Sequence, residues 1–191
     1  MGFLDRLFGS DDPASKWVRD SALKIELDLE AGTLCGVRLG LQPESLSKLG
    51  PPTNDQPTRD GLYTWASLGI QATATKGILT HYLAAYDVDD LGRNALPFAG
   101  GFTLGGRPLP LSPDSGVEEL LRLLGEPWHR YADPEDPGAP LAFFYERRGL
   151  EWEVEILAGG MLGSIALHSP PSLARPETRR LLRVEKPWPP S

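Results

Sequence analysis

The chain has 191 residues, 40% of them hydrophobic and 24% charged, with a formal net charge of −7. An acidic surface repels phosphate backbones, so nucleic acid is excluded as the expected partner and a basic protein is favoured. A single cysteine, Cys35, excludes an internal disulfide framework and the cysteine-rich cages of structural zinc sites.

Residues 1–20 form an N-terminal segment in which Phe3, Leu4, Leu7 and Phe8 make a short amphipathic stretch. Asp5 and Arg6 interrupt its apolar run, so it does not read as a signal peptide, and Arg6 stands where myristoylation asks for Ser or Thr. No stretch reaches the roughly 18 apolar residues that span a bilayer. The expectation is a cytoplasmic protein without a transmembrane segment.

Residues 21–90 read as one unit. ALKIELDLEAG (22–32) is a leading strand, joined by GVRL (36–39). Pro43 can open a helix at its first turn, Leu46 and Leu49 give it an apolar face, and Gly50-Pro51 stops it. A turn-rich loop, 53–61, leads to an aromatic pair, Tyr63 and Trp65. Ile70, Ala72 and Ala74 then alternate with Gln71, Thr73 and Thr75, the period of a half-buried antiparallel strand. Lys76-Gly77 turns the chain into a further strand, ILTHYLAAY.

Residues 91–170 repeat the plan. GGFTLGGRPLPL (100–111) leads. Ser115 to Glu118 has capping-box spacing, and Val117, Leu120, Leu121 and Leu124 lie on one helix face before Gly125 and Pro127. The two Leu-Gly pairs, at Leu49 and Leu124, are 75 positions apart. After the loop 131–140, Tyr145 falls where Trp65 fell. Leu150, Trp152, Val154 and Ile156 alternate with Glu151, Glu153 and Glu155, and MLGSIALH completes the meander. Residues 171–191 form a basic helix, RPETRRLLR, and a Pro-rich tail. The fold expected is α+β: two tandem repeats, each a short helix packed on an antiparallel β-meander, in one continuous sheet or two.

GLQPESLSKLGPP (40–52) followed by Tyr63-Thr64-Trp65 resembles the helix, Leu-Gly-x-Pro stop and aromatic-led meander of small outer-membrane assembly lipoproteins and β-lactamase inhibitor proteins. YTWASLGIQA and GFTLGGRPLPL…LLGEP also resemble a bacterial domain family of unknown role with the pattern LG-x-P … Y-x-W-D-x-LGI. Together these cover residues 22 to 168. They imply a binding scaffold of immunity or inhibitor type and name no catalytic residue. Ala66 replaces the Asp of the second pattern, and the start carries no lipobox cysteine, so neither role carries over.

Few residues suggest chemistry. Cys35 sits in a strand-like stretch and reads as core. His81, His129 and His168 share no ligand spacing, so no metal or other cofactor is expected. Asp87 to Gly92 departs from a calcium loop at Leu91 and Phe98 and reads as a linker. The distinctive feature is the row Glu151, Glu153, Glu155, which strand geometry places on one face. Trp65 and Tyr145 read first as sheet core and, where exposed, as aromatic anchors beside that row, which is the expected docking face for a basic protein partner. The alternatives are an enzyme with its site in the cleft between the repeats, and a self-associating protein whose open sheet edge makes a homodimer.

Overall fold

The structure is a computed structural model describing residues 12–92, 94–136 and 138–190; the amphipathic Phe3–Phe8 stretch lies outside them. The first half forms β1 (Glu26–Asp28), β2 (Thr33–Leu34), β3 (Val37–Arg38), a 3₁₀ helix (Pro43–Leu49), the one-turn α1 (Pro57–Asp60), β4 (Leu62–Trp65), β5 (Ile70–Thr75) and β6 (Ile78–Ala85). The second half forms β7 (Gly101–Leu104), β8 (Arg107–Leu109), α2 (Val117–Leu124), β9 (His129–Tyr131), β10 (Leu141–Arg147), β11 (Leu150–Ile156) and β12 (Leu162–His168), and then α3 (Pro176–Leu181). The class is α+β.

The strands make two sheets. The larger runs β4-β5-β6-β12-β11-β10-β9, antiparallel throughout, so both meanders lie in one sheet joined through their last strands. The order β4-β5-β6 against β12-β11-β10 reads as one meander outward and a second one back. The smaller sheet runs β3-β2-β1-β7-β8. Its central pair, β1 with β7, is parallel, and Leu27 faces Phe102, the same 75-residue separation that divides the Leu-Gly pairs.

The expected leading strands are shorter than their sequence runs, because each folds back on itself. Asp28 is the reason. Its Oδ1 accepts from Glu30 N (3.0 Å), Ala31 N (2.9 Å) and Gly105 N (3.2 Å), and its Oδ2 from Thr103 Oγ1 (2.8 Å) and Gly106 N (2.7 Å). One carboxylate thereby satisfies the turns of both leading hairpins, β1–β2 and β7–β8, and ties them together. Burial pushes its pKa up, but those bonds outweigh that and hold it below the usual 3.8.

The helix expected at 43–49 winds as 3₁₀. Its buried residues Leu46 and Leu49 are three apart, which aligns them in a three-residue turn. In α2, Leu120 and Leu124 are buried and Val117 and Leu121 pack beside them. The capping box there does not form: Gly116 is the N-cap, and the Ser115 hydroxyl accepts from Ser112 N instead.

The two Leu-Gly stops share a backbone conformation, Gly50 at φ 84°, ψ −175° and Gly125 at φ 84°, ψ −170°, a region open to glycine alone. Each carbonyl takes a hydrogen bond from the aromatic residue that opens its meander. Trp65 Nε1 donates to Gly50 O (2.9 Å) and Tyr145 Oη to Gly125 O (3.2 Å). Trp65 and Tyr145 are therefore buried locks of the helix stop, as their core reading expects, and not exposed anchors. Between the sheets lies one core, to which Leu27, Leu34 and Phe102 contribute from one side and Ile70, Tyr82, Trp152 and Ile165 from the other.

Candidate functional site

Strand register places Thr73, His81, His168, Glu151 and Glu146 side by side across β5, β6, β12, β11 and β10, on the face of the large sheet turned away from the core. The chain itself covers half of that face. After β12 it turns back, and residues 172–174 form a 3₁₀ turn above β11. Glu151, fully buried, accepts from Ser172 N (3.1 Å), Leu173 N (3.0 Å) and the Ser172 hydroxyl. The carboxylate expected at the centre of an acidic docking face is instead an internal anchor.

The other two glutamates are half-buried. Glu153 Oε2 lies 3.2 Å from His168 Nε2, and Glu155 accepts from Ser164 Oγ (3.0 Å). The basic C-terminal helix is held in cis through main-chain carbonyls. Arg179 donates to the carbonyls of Leu173 and Ala174, and Leu182 O sits 3.0 Å from His129 Nε2. Farther on, Lys186 donates to Trp128 O (2.6 Å) and Trp188 meets Trp128 edge-on at 5.3 Å.

The uncovered half holds a cleft of about 380 Å³. Its floor is Thr73, Thr75, Thr80, His81 and His168; its wall is the returning chain at Pro170, Ser172 and Arg175. The His81 and His168 rings stack at 4.5 Å. Thr73 Oγ1 lies 3.3 Å from His81 Nδ1, and the Thr75 and Thr80 hydroxyls are 3.2 Å apart. Burial, helped by the charge His168 can carry, lowers the His81 pKa to about 3, so His81 is neutral in this stack. The Ser172 hydroxyl is directed to Glu151 rather than to either imidazole. The cleft thus offers hydroxyls, a neutral imidazole and one guanidinium, a set suited to hydrogen-bonded recognition.

Sequence reading located both histidines on third strands but did not bring them together. Their meeting follows from joining the two meanders through those strands: β6 against β12 sets His81 opposite His168. Cys35 occupies a positive-φ turn (φ 51°) between β2 and β3, and burial raises its thiol pKa. Among the described residues no group of three His, Cys, Asp or Glu side chains is placed to hold a metal ion, and no helix is long and apolar enough to cross a membrane.

These features define an α+β protein with a seven-stranded antiparallel sheet, half of whose outer face is self-covered. The solved structure of a DUF4309 family protein (YjgB) from Bacillus subtilis subsp. subtilis str. 168 is similar, with a TM-score of 0.42 and 15% sequence identity over 82% of this chain and 90% of that one. A likeness of that size assigns neither function nor site residues to this chain. No protein-family model and no curated protein matches the sequence.

Proposed function

We propose that this chain is a non-catalytic protein-binding module of the immunity or inhibitor kind, built from two copies of one helix-and-meander unit. It engages its partner on the uncovered half of the outer sheet face. One observation carries the reading: the other half of the same face already holds a peptide segment, the chain's own residues 172–174, by burying a sheet carboxylate under two backbone N–H groups and a hydroxyl. The cleft beside it offers Thr73, Thr75, His81 and Arg175 to a second, foreign segment. Arg175 and the hydroxyls suit a turn that carries a carboxylate. Glu153, hydrogen-bonded to His168, fixes the floor beside it. With Glu151 withdrawn from the surface, the basic partner expected from the glutamate row loses its central contact. The duplicated-unit part of the reading is supported by the matched Gly50 and Gly125 stops and their aromatic donors.

The test is peptide selection by phage display on the immobilised chain, followed by affinities from fluorescence anisotropy. Peptides bearing Asp or Glu should emerge, and Arg175→Ala or Thr75→Ala should weaken them about tenfold, equivalent to about 1.4 kcal/mol. Arg107→Ala, on the small sheet, should leave them unchanged. Peptides that bind both cleft variants as well as the parent chain, or a failure to select any, would overturn the reading.

A further inference from the structure

We propose that the crevice where the small sheet meets the β10–β11 hairpin is a binding site for a small phosphorylated ligand, held by Arg38, Arg147 and Arg148. The site is separate from the outer-face cleft and does not depend on it. One wall is the β1–β2 turn with β3, contributing Ala31, Gly32 and Arg38; the other is the hairpin turn from Arg147 to Leu150. The space between them is about 150 Å³. Ligand pockets for drug-sized molecules run from about 300 Å³ upward, so this one fits a compact anionic group and leaves the rest of the ligand in solvent.

Charge is the first argument. The chain carries 26 acidic against 19 basic side chains. Three arginines nevertheless line one crevice, and the arginine ion pairs among the described residues are made elsewhere, by Arg59, Arg122 and Arg130. Like charges held together without counter-charges repel, and an anion seated between them removes that penalty. The one carboxylate at the mouth, Glu30, lies against Gly105 rather than in an ion pair with an arginine.

Rigidity is the second argument. Arg147 lies over the Trp152 ring, 5.2 Å from its centroid. A guanidinium stacked by its face keeps its N–H edge free for two-pronged contact with an oxyanion. Arg148 (φ 53°) and Gly149 (φ 78°) form the tight turn, which is pinned where Gly149 N donates to Glu146 Oε1 (2.7 Å). The opposite turn is pinned by Asp28 through Glu30 N and Ala31 N. The two walls touch at the base, where a Cβ on Gly32 would stand 3.1 Å from Leu150 Cδ2. A tetrahedral phosphate monoester offers several oxygens to arginines that stand on two opposed walls. The acidic remainder of the surface disfavours long polyanions, which selects for a small ligand.

The experiment is an amide NMR titration of the full chain with inorganic phosphate and with phenyl phosphate, against sodium chloride at matched ionic strength. Saturable shifts are expected at residues 30–32, 38 and 147–150, with phenyl phosphate the tighter ligand. The Arg38→Ala/Arg148→Ala double variant, with both side chains exposed, should fold as the parent does and lose at least about tenfold in affinity. Arg59→Ala should bind normally. Vesicles of phosphatidylglycerol provide a second arm: binding to vesicles with no saturable response to either phosphate would assign the arginines to a membrane surface and overturn the proposal. Shifts reproduced by chloride, or unchanged in the double variant, would overturn it as well.

Discussion

Replacing Glu151 with Gln separates an internal anchor from a docking carboxylate. The carboxylate is fully buried and its two oxygens receive Ser172 N, Leu173 N and the Ser172 hydroxyl. Gln keeps the shape but turns one acceptor into an NH₂ group facing donors. The variant loses charge-assisted bonds, each about 1.5–3 kcal/mol, and leaves at least one buried donor unpaired. Because the returning segment can lift away and regain water, the net loss falls below the sum, at about 2–4 kcal/mol. Urea denaturation reads the global part of this. Hydrogen exchange at residues 172–182 reads the local part, which should deprotect first. Glu153→Gln is the control: its carboxylate is partly exposed and a Gln can keep a hydrogen bond to His168, so it should cost under about 1 kcal/mol. A surface docking residue would give the same small value at position 151. An E151Q stability within about 0.5 kcal/mol of the parent, with residues 172–182 still protected, would refute the anchoring argument.

Five other substitutions test the frame. Gly125→Ala has open space for its Cβ, so its cost isolates backbone strain, about 1–3 kcal/mol in thermal unfolding; Tyr145→Phe at the same stop should cost about 1 kcal/mol through the bond to Gly125 O. Asp28 has a lowered folded pKa, so its contribution is complete above 3.8 and vanishes as pH falls through the folded value; Asp28→Asn should flatten the acid limb of a stability–pH curve below pH 3.8. His81 behaves similarly for a different reason: the unfolded chain takes up its proton near pH 6.5 while the folded chain resists until about pH 3, so stability declines on acidification through that window, by up to about 3 kcal/mol at pH 4. His81→Gln should remove this decline and leave the Asp28 limb in place. Asn54→Ala removes two bonds from the β4 edge and should promote self-association in analytical ultracentrifugation.

The sequence made the α+β class and the repeated stop legible because period-two alternation and Leu-Gly-x-Pro punctuation are local signals. The α2 face and the β11 alternation lie as their patterns indicate. The candidate site was far less legible, because alternation identifies a face without saying what covers it. Glu151, Glu153 and Glu155 do share a face, yet only Glu151 disappears beneath a segment that begins 21 residues later in the chain. Trp65 and Tyr145 lie in the core, the first of their two readings, but the glycine carbonyls that they serve, 15 and 20 residues back, were not legible. Arg38 and Arg148 meet only through packing of one sheet on the other, which no spacing within either unit encodes.

The edges of the large sheet bear on how such a protein meets a partner. A bare edge strand invites pairing with a second chain, and neither edge here is bare. At β4, the Asn54 side chain stands in for a neighbouring peptide: Nδ2 donates to Leu62 O (2.7 Å) and Oδ1 accepts from Thr64 N (3.0 Å), while Thr53 N and Oγ1 both donate to Thr64 O. At β9, the returning tail is fixed on both sides, through His129 and through Trp128. The small sheet ends in the two-residue β3 on one side and in β8, which carries Pro108, on the other. A strand from a second copy would have to displace these groups before gaining its own hydrogen bonds. The physical cost of that exchange disfavours strand addition at these edges, so binding is proposed on the outer-face cleft and the arginine-lined crevice instead.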